Sequence, residues 1–158
     1  MEANNGTTIV VFSGDMDKVF AALSIAVGSA AAGMETTLFF TFWGLNAIQK
    51  GNRTGKGFMA KMLGMINRGG LSRLGPSRFN FGGAGRWMFR QMMAEKGVAL
   101  LDELRQTCLD LGVHFLACKM SMDVMEIRRE DLIPEVEDVV GVAKMIKDAS
   151  AANVHFFI

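Results

Sequence analysis

The sequence is short of several residue types, and the most informative shortage is local: residues 36–94 contain no Asp or Glu. The same segment carries nine of the 17 Lys and Arg residues, so the rest of the chain holds eight bases against all 16 acids. A formal net charge of +1 therefore conceals an acidic body and a basic insertion. Because the acidic body would repel phosphates, the charge pattern argues against a nucleic-acid-binding protein.

Cysteine and histidine are scarce, which argues against a metal site. The chain has two of each, namely Cys108, Cys118, His114 and His155. Their spacing matches neither a zinc knuckle nor a C-x-x-C redox pair, so we expect no bound metal. Cys108 falls on the apolar stripe of a predicted helix, and both histidines lie early in strand-like runs. We therefore expect these three side chains to be structural.

Long apolar runs and an export signal are also absent. The longest apolar stretch, residues 19–34, spans 16 residues, whereas a membrane-spanning helix needs about 20. It predicts a buried helix, and we expect no integral membrane segment. The first residues lack a basic start followed by an apolar run, so the predicted location is the cytoplasm, where we expect no disulfide between the cysteines.

Two glycine-rich segments, residues 51–56 and 82–85, resemble nucleotide-binding loops only superficially. Lys50 stands where a Walker motif requires its first glycine, and Gly57 stands where it requires Ser or Thr. The second segment follows no predicted strand and lacks the third glycine of a dinucleotide-binding fingerprint. We therefore expect no cofactor.

Strand-like runs alternate with helical patterns along the chain. Strands are predicted over residues 7–13, 35–42, 113–118, 136–140 and 153–158, and helices over residues 15–33, 56–66, 86–95, 99–111, 120–127 and 142–151. This alternation predicts one α/β domain over residues 1–158, a doubly wound sheet of about five mainly parallel strands. The crossover after the second strand is far longer than a βαβ unit needs, which predicts a helical-loop insertion over about residues 44–97.

Candidate site residues gather at the carboxyl ends of the strands, where α/β sheets bind their ligands. Ser13, Asp15, Trp43 and Cys118 belong to that edge, and the basic insertion leaves from it. Cys118 ends a strand and precedes a predicted helix, so backbone N–H groups and the positive helix end would lower its pKa and favour the reactive thiolate. The alternative is that Cys118 is a buried residue that only closes the strand.

The insertion contains six of the 13 methionines, at positions 59, 62, 65, 88, 92 and 93. Because the insertion lies outside the predicted sheet, we expect some of this apolar surface to pack on another subunit or on a flexible apolar ligand. Its bases, including Arg73 and Arg86, fit either a solvated face or a lid that binds anions.

Residues 117–125, Ala-Cys-Lys-Met-Ser-Met-Asp-Val-Met, resemble the Cys-x-Met-Ser-Met-Asp segment of the DsrE/DsrF-like family, in a subgroup labelled DsrE-like or peroxiredoxin-like. Further matches lie at residues 71–74, 81–85, 111–113 and 139–143, and the subgroup often has glycine where Glu126 stands. The resemblance implies a flavodoxin-like subunit that forms homo-oligomers. It also implies a sulfur-relay protein in which Cys118 carries sulfane sulfur, as a persulfide, from a donor protein to an acceptor protein.

Taken together, these observations assign Cys118 as the catalytic residue of a possible sulfurtransferase. The predicted binding residues are Ser13, Asp15, Trp43, Met120, Ser121, Asp123, Arg73 and Arg86. Two alternatives are a non-catalytic oligomeric binding module and a thiol redox sensor or peroxidase. A peroxidase would need an activating polar pocket and a resolving thiol, and Cys108 would be a poor resolving thiol if it lies in the core.

Overall fold

Five parallel strands form the central sheet, in the order β4-β3-β2-β1-β5. The structure, a computed structural model, describes residues 5–158. The strands are β1 (Gly6–Val11), β2 (Glu35–Phe40), β3 (His114–Cys118), β4 (Asp138–Val140) and β5 (Val154–Phe157). β1 to β4 lie side by side in the order of the chain, and β5 pairs with the other side of β1. The predicted α/β fold with a parallel sheet is confirmed.

Helices cover both faces of this sheet. They are α1 (Met16–Ala31), α2 (Phe58–Ile66), α3 (Ala84–Glu95), α4 (Leu101–Asp110), α5 (Lys119–Val124) and α6 (Val142–Ala151). Short 3₁₀ segments cover Phe42–Ile48, Leu71–Arg73, Phe81–Gly83 and Arg129–Asp131. α2, α3 and the first three of these segments lie between β2 and α4, in the region where the sequence predicts the insertion.

Alternating strand residues divide the core into two layers, because successive side chains point to opposite faces. One layer packs against α1 and α4 and includes Ile9, Leu38 and Phe115, each with no solvent exposure. The other layer is a small cluster of buried residues: Phe39, Leu116, Cys118 and Val140. Met145 of α6 packs against this second cluster. α6 itself has no buried residue.

Several predicted element boundaries are wrong, and the backbone explains three of the differences. β1 ends at Val11 because the N–H groups of Phe12 and Ser13 both donate to the carbonyl of Ile158. β2 ends at Phe40, and Phe42 has a φ of 45° that no strand allows. α5 ends three residues early, since Glu126 has a φ of 51°.

Hydrogen bonds attach the insertion to the rest of the molecule on two sides. On the β3 side, the N–H of Lys50 donates to the carbonyl of Asp131 at 2.9 Å. On the α1 side, the Asp17 carboxylate accepts hydrogen bonds of 2.8 and 2.7 Å from the N–H and hydroxyl of Ser77. These contacts fix the insertion along the carboxyl edge of the sheet.

Candidate active site

Cys118 lies at the junction of β3 and α5, as the last residue of the strand and the N-cap of the helix. Its side chain is 1% exposed and shares the small cluster with Phe39 and Val140. Both cysteines of the chain are free thiols. The predicted position of Cys118, at the carboxyl edge and before a helix, is therefore correct, but the thiol is covered.

Two hydroxyl groups flank the thiol from neighbouring elements. Phe40 of β2 pairs with Ala117 of β3, so Thr41, the next residue, lies beside Cys118 at the end of the sheet. Ser121 enters from the first turn of α5 and is completely buried. The two hydroxyl oxygens are 2.7 Å apart. The sequence predicted Ser121 as a site residue and missed Thr41.

Hydrogen bonds stabilise the thiolate of Cys118 against the effect of burial. Burial alone raises the pKa of this thiol, because a charge in an apolar cluster loses its hydration. When Cys118 ionises, the hydroxyl and N–H of Ser121, the hydroxyl of Thr41 and the N–H of Met120 can donate to the sulfur, and this set of donors holds the pKa of the thiol below its ordinary value. The arrangement therefore favours a nucleophilic or leaving-group thiolate.

Two residues with left-handed backbone flank this site. Phe42 follows Thr41 with a φ of 45°, and Glu126 follows α5 with a φ of 51°. Such conformations are unfavourable for residues with a Cβ and cluster at functional sites. The Glu126 carboxylate accepts hydrogen bonds from the N–H groups of Lys56 and Gly57, the latter at 3.0 Å. The subgroup that this sequence resembles often has glycine at position 126. This chain has a glutamate there, and its carboxylate holds the start of the insertion in place.

The other cysteine and the histidines lie away from the thiolate. Cys108 is completely buried, its thiol lies 3.6 Å from the carbonyl of Leu23, and burial raises its pKa to about 12. It is the core residue that the sequence predicted. His114 pairs with Glu137 at 2.9 Å. His155 is exposed on β5, at the amino-terminal part of the strand.

Three predicted binding residues line a separate cleft. Ser13, Asp15 and Trp43 surround an open space of about 510 Å³ at the carboxyl end of β1, and the end of α2 forms its opposite wall. Gly44 lets the 3₁₀ segment reach this end of β1, because a Cβ at that position would lie 1.9 Å from the Val11 carbonyl oxygen. Cys118 does not line the cleft. The structure therefore divides the predicted site into two parts.

The remaining predicted residues lie on the surface around these parts. Met120 is 53% exposed, and the carboxylate of Asp123 is paired with Lys119 in solvent. Arg73 and Arg86 lie together in the insertion, where the Arg86 guanidinium donates to the Arg73 carbonyl at 2.7 Å. Neither guanidinium forms a hydrogen bond to Cys118.

Two findings concern metals and membranes. Within residues 5–158, no three His, Cys, Asp or Glu side chains come together in a way that could hold a metal ion. Over the same range, every helix is too short or too polar to cross a bilayer.

The sequence of the whole chain decides its family. The model of the DsrE/DsrF/DrsH-like family matches residues 3–157. The chain belongs to this family. Among its DsrE-like relatives is the uncharacterized protein YrkE of Bacillus subtilis, 40% identical over 99% of both chains. The sulfur carrier protein DsrE2 of Allochromatium vinosum is 29% identical over 95% of this chain and 96% of that protein.

Solved structures support the same fold. The ychN protein of E. coli superposes with a TM-score of 0.60 at 13% identity, covering 98% of this chain and 99% of that one. MTH1491 from Methanobacterium thermoautotrophicum, a protein of unknown function, gives a TM-score of 0.53, also at 13% identity, over 96% and 97% of the two chains. At this identity the likeness concerns the DsrE-like fold alone.

Proposed function

We propose that the protein is a sulfur carrier in which Cys118 holds sulfane sulfur as a persulfide and passes it to an acceptor protein. The observation that carries the proposal is a free thiol at the carboxyl edge of the sheet, at the N-cap of α5 and beside the hydrogen-bonded hydroxyls of Thr41 and Ser121. The family and the DsrE2 relative, which is named a sulfur carrier, support a role in sulfur relay.

The chemistry of each transfer needs only a thiolate and a good leaving group. The Cys118 thiolate attacks the outer sulfur of a donor persulfide, a new S–S bond forms, and the donor leaves as a thiolate with the electron pair of the broken S–S bond. In the second transfer, an acceptor thiolate attacks the outer sulfur on Cys118, and the Cys118 thiolate leaves. No net oxidation occurs. A low thiol pKa helps the second step, because a stable thiolate leaves faster.

Access to the sulfur requires movement of its cover. Cys118 is 1% exposed, so a partner protein must displace side chains to reach it. Met145 is the contact that α6 makes with the Cys118 cluster, and α6 itself is not buried. Segments with few buried contacts open at the lowest free-energy cost. Displacement of α6 is therefore the route by which a donor would reach the thiol.

Intact-mass measurement after incubation with inorganic polysulfide tests the proposal. The expected result is a gain of one sulfur atom that persists in Cys108→Ser, is absent in Cys118→Ser, and is removed by a thiol reductant. Transfer of the label to a small thiol acceptor should regenerate the original mass. Absence of the adduct at Cys118 under native conditions contradicts the proposal and leaves the non-catalytic binding module.

Peroxide separates the carrier from a redox sensor. A sensor would form a sulfenic acid on Cys118 with peroxide alone, faster than an ordinary thiol of the same accessibility. A peroxidase would also need a resolving thiol, and Cys108 is completely buried in the layer under α1 and α4. We therefore expect polysulfide, and not peroxide, to modify Cys118 at low concentration.

Partner proteins have an extensive apolar surface to bind. The insertion exposes large apolar side chains on α2, α3 and the loop between them: Phe58, Met59, Met65, Ile66, Phe79, Phe81 and Trp87. Because exposed apolar surface of this extent is characteristic of interaction sites, a second copy of the chain or a relay partner would cover it. Arg73 and Arg86 lie in the same region and would contact acidic residues of that partner.

Both free thiols fit the reducing cytoplasm that the sequence predicts.

The oligomeric part of this proposal has its own test. Sedimentation of the purified protein should give a mass above that of one chain, and Phe58→Ser with Met65→Ser should shift it toward the monomer. A matched pair of substitutions at exposed polar positions outside the insertion, Gln106→Ser with Glu135→Ser, should leave the mass unchanged. A monomer at all concentrations contradicts self-association and assigns the surface to a different partner.

A further inference from the structure

The exposed apolar surface of the insertion has two parts, one on α2 and one on α3 with the loop before it. α3 packs Phe89 against the core, but the face that it turns to solvent is apolar as well. Trp87, Met88 and Met92 on that face are 67%, 45% and 52% exposed. A surface helix of a globular protein normally presents charged and polar residues there. The outer face of α3 is therefore suited to contact something other than water.

Two aromatic rings lie beside this face, in the loop that precedes α3. Phe79 and Phe81 are 68% and 77% exposed, and their rings stack with centroids 6.0 Å apart. Their φ values of 59° and 41° are unfavourable for residues with a Cβ, and such strain clusters at functional sites. Gly85 lets α3 start directly against this loop, because a Cβ there would lie 2.0 Å from the Phe79 carbonyl oxygen. The two rings and the outer face of α3 together make up the α3 surface.

Basic residues border the α3 surface, both on the helix and in the loop. Arg78 precedes the first ring and is exposed, and Arg86 and Arg90 lie one turn apart on α3, each partly buried. Arg86 donates to a neutral acceptor, the carbonyl of Arg73. Within residues 5–158, none of the nine Lys and Arg side chains of residues 36–94 forms an ion pair. The α3 surface thus combines exposed apolar side chains with positive charge that the chain itself does not neutralise.

The occupant of this surface has to supply both apolar contact and negative charge. Two copies of the chain related by a two-fold axis through the α3 surface would bring like charges together, since residues 36–94 contain no acid. An anionic lipid bilayer has a negative surface above an apolar interior. Trp and Phe beside Lys or Arg are the side chains that enter this interface. Phe58 and Met65 lie on α2, outside this surface, and stay free for a protein partner.

We propose that the α3 surface docks the protein on an anionic lipid bilayer. Phe79, Phe81 and Trp87 enter the boundary between headgroups and acyl chains, and the arginines of the loop and of α3 contact lipid phosphates. The cytoplasmic leaflet of a membrane carries negative charge, so electrostatic attraction adds to the burial of the rings. Docking of this kind requires neither Cys118 nor sulfur transfer.

Co-sedimentation with vesicles tests the proposal, with Trp87 emission as a second readout. The chain has two tryptophans, so Trp43→Phe leaves Trp87 as the single emitter. Vesicles of phosphatidylglycerol and phosphatidylcholine in equal parts provide the anionic surface, and vesicles of phosphatidylcholine alone are the neutral control. We expect saturable binding to the anionic vesicles with a blue shift of Trp87 emission, and binding to neutral vesicles that is weaker by about tenfold or more. Added salt should weaken the binding, because it screens the charges.

Phe79→Asn with Phe81→Asn removes both rings and suits the backbone, because asparagine adopts the left-handed conformation more readily than phenylalanine. We expect this pair of changes to weaken binding by about tenfold or more. Phe157→Asn, at a ring 72% exposed on β5, is the matched control and should bind as the parent does. Arg78→Gln should weaken binding by about fivefold. Lys147→Gln, the same loss of charge at an exposed position on α6, should have no effect.

Three results would overturn the proposal. The first is binding to anionic vesicles that is absent or no stronger than to neutral ones, which assigns the α3 surface to an acidic protein partner. The second is Trp87 emission that stays unchanged while the protein sediments with vesicles. The third is unchanged affinity in the protein with Phe79→Asn and Phe81→Asn. The lipid comparison and the Trp87 readout use the native loop, so they decide the question even if that variant fails to fold. Cys118→Ser should bind vesicles normally, and the polysulfide assay needs no lipid, so this proposal and sulfur transfer fail independently.

Discussion

The hydroxyl oxygens of Thr41 and Ser121 lie 2.7 Å apart, although 80 positions separate the two residues in the chain. The contact joins the end of β2 to the first turn of α5, directly beside Cys118. Each hydroxyl has one proton, so a bond between them leaves one proton to donate to the sulfur. When Cys118 ionises, both protons can turn toward the thiolate, and the pair adjusts to the charge without moving heavy atoms.

Thr41→Val tests whether this pair stabilises the thiolate, because valine keeps the shape of threonine and loses the hydroxyl. With one donor fewer, the pKa of Cys118 rises and less thiolate is present at neutral pH. Alkylation of Cys118 by iodoacetamide at pH 7 should slow by about fivefold to tenfold, and the rate should rise with pH over a higher range than in the parent protein.

Thr37→Val is the matched control for that measurement. Thr37 lies near the other end of β2, far from Cys118, and lines a different cavity. It should leave the pH dependence of alkylation unchanged. If Thr41→Val and Thr37→Val alkylate at the same rate as the parent, Thr41 does not act on the thiolate.

Sequence reasoning identified Cys118 and Ser121 because they lie within four residues of sequence at a strand-to-helix junction. Thr41 was missed because its role depends on the register between β2 and β3, which a single sequence does not reveal. The signal available was position: Thr41 lies at the predicted end of one strand and Cys118 at the end of another.

The order of elements was predictable because most strands are short, largely apolar runs bounded by helical patterns. The residues at which β1 and β2 end were not predictable. The Ile158 carbonyl that stops β1 belongs to the last residue of the chain, and the left-handed backbone of Phe42 depends on how the 3₁₀ segment packs against Val11. Both are tertiary contacts that override the preference of Phe12 and Phe42 for strand.

Cys108 should make the protein less stable at alkaline pH. Burial raises its pKa from 9.0 to about 12 in the folded state, so the thiol stays protonated while the unfolded chain ionises. The stability that the protonated Cys108 thiol gives to the folded state is fully present below the pKa of the unfolded thiol. It is lost as the pH rises toward the pKa of the thiol in the folded protein. Urea unfolding from pH 8 to pH 11 should show a loss on the order of a few kcal/mol that is absent in Cys108→Ala.

The test compares how the free energy of unfolding changes with pH in the parent protein and in Cys108→Ala, and not its absolute value. Cys108→Ala removes a buried sulfur atom and should lower stability by roughly 1–2 kcal/mol at every pH. An equal decline of both proteins above pH 9 would assign the alkaline loss to other groups. Native-state alkylation should likewise leave Cys108 unmodified until the protein unfolds.

Met145→Ala should increase the reactivity of Cys118. Met145 packs against the Cys118 cluster from α6, and its truncation loosens the cover without touching the hydrogen-bond donors. We expect iodoacetamide to react with Cys118 about threefold to tenfold faster, because local opening costs less free energy. Ile146→Ala, at a position 57% exposed on the same helix, is the control and should leave the rate unchanged. Equal rates in both variants would indicate that access does not run through α6.

Glu126→Gly should release the start of the insertion while it relieves the backbone at this position. Glu126 combines a φ of 51° with a carboxylate that accepts from the N–H groups of Lys56 and Gly57. Those two hydrogen bonds also hold the pKa of Glu126 below its usual range. Glycine adopts this φ without strain, so the backbone turn should persist, whereas the two N–H groups lose their acceptor.

Amide hydrogen exchange separates the two effects of this substitution. Exchange at Lys56 and Gly57 should become about tenfold faster in Glu126→Gly, while exchange in the strands, which reports global stability, should not accelerate. Glu126→Gln keeps an acceptor without the charge and should give an intermediate rate, and Glu135→Gln should have no effect. Unchanged exchange at Lys56 and Gly57 would show that the insertion does not depend on Glu126, and faster exchange throughout the sheet would show that the carboxylate stabilises the whole fold.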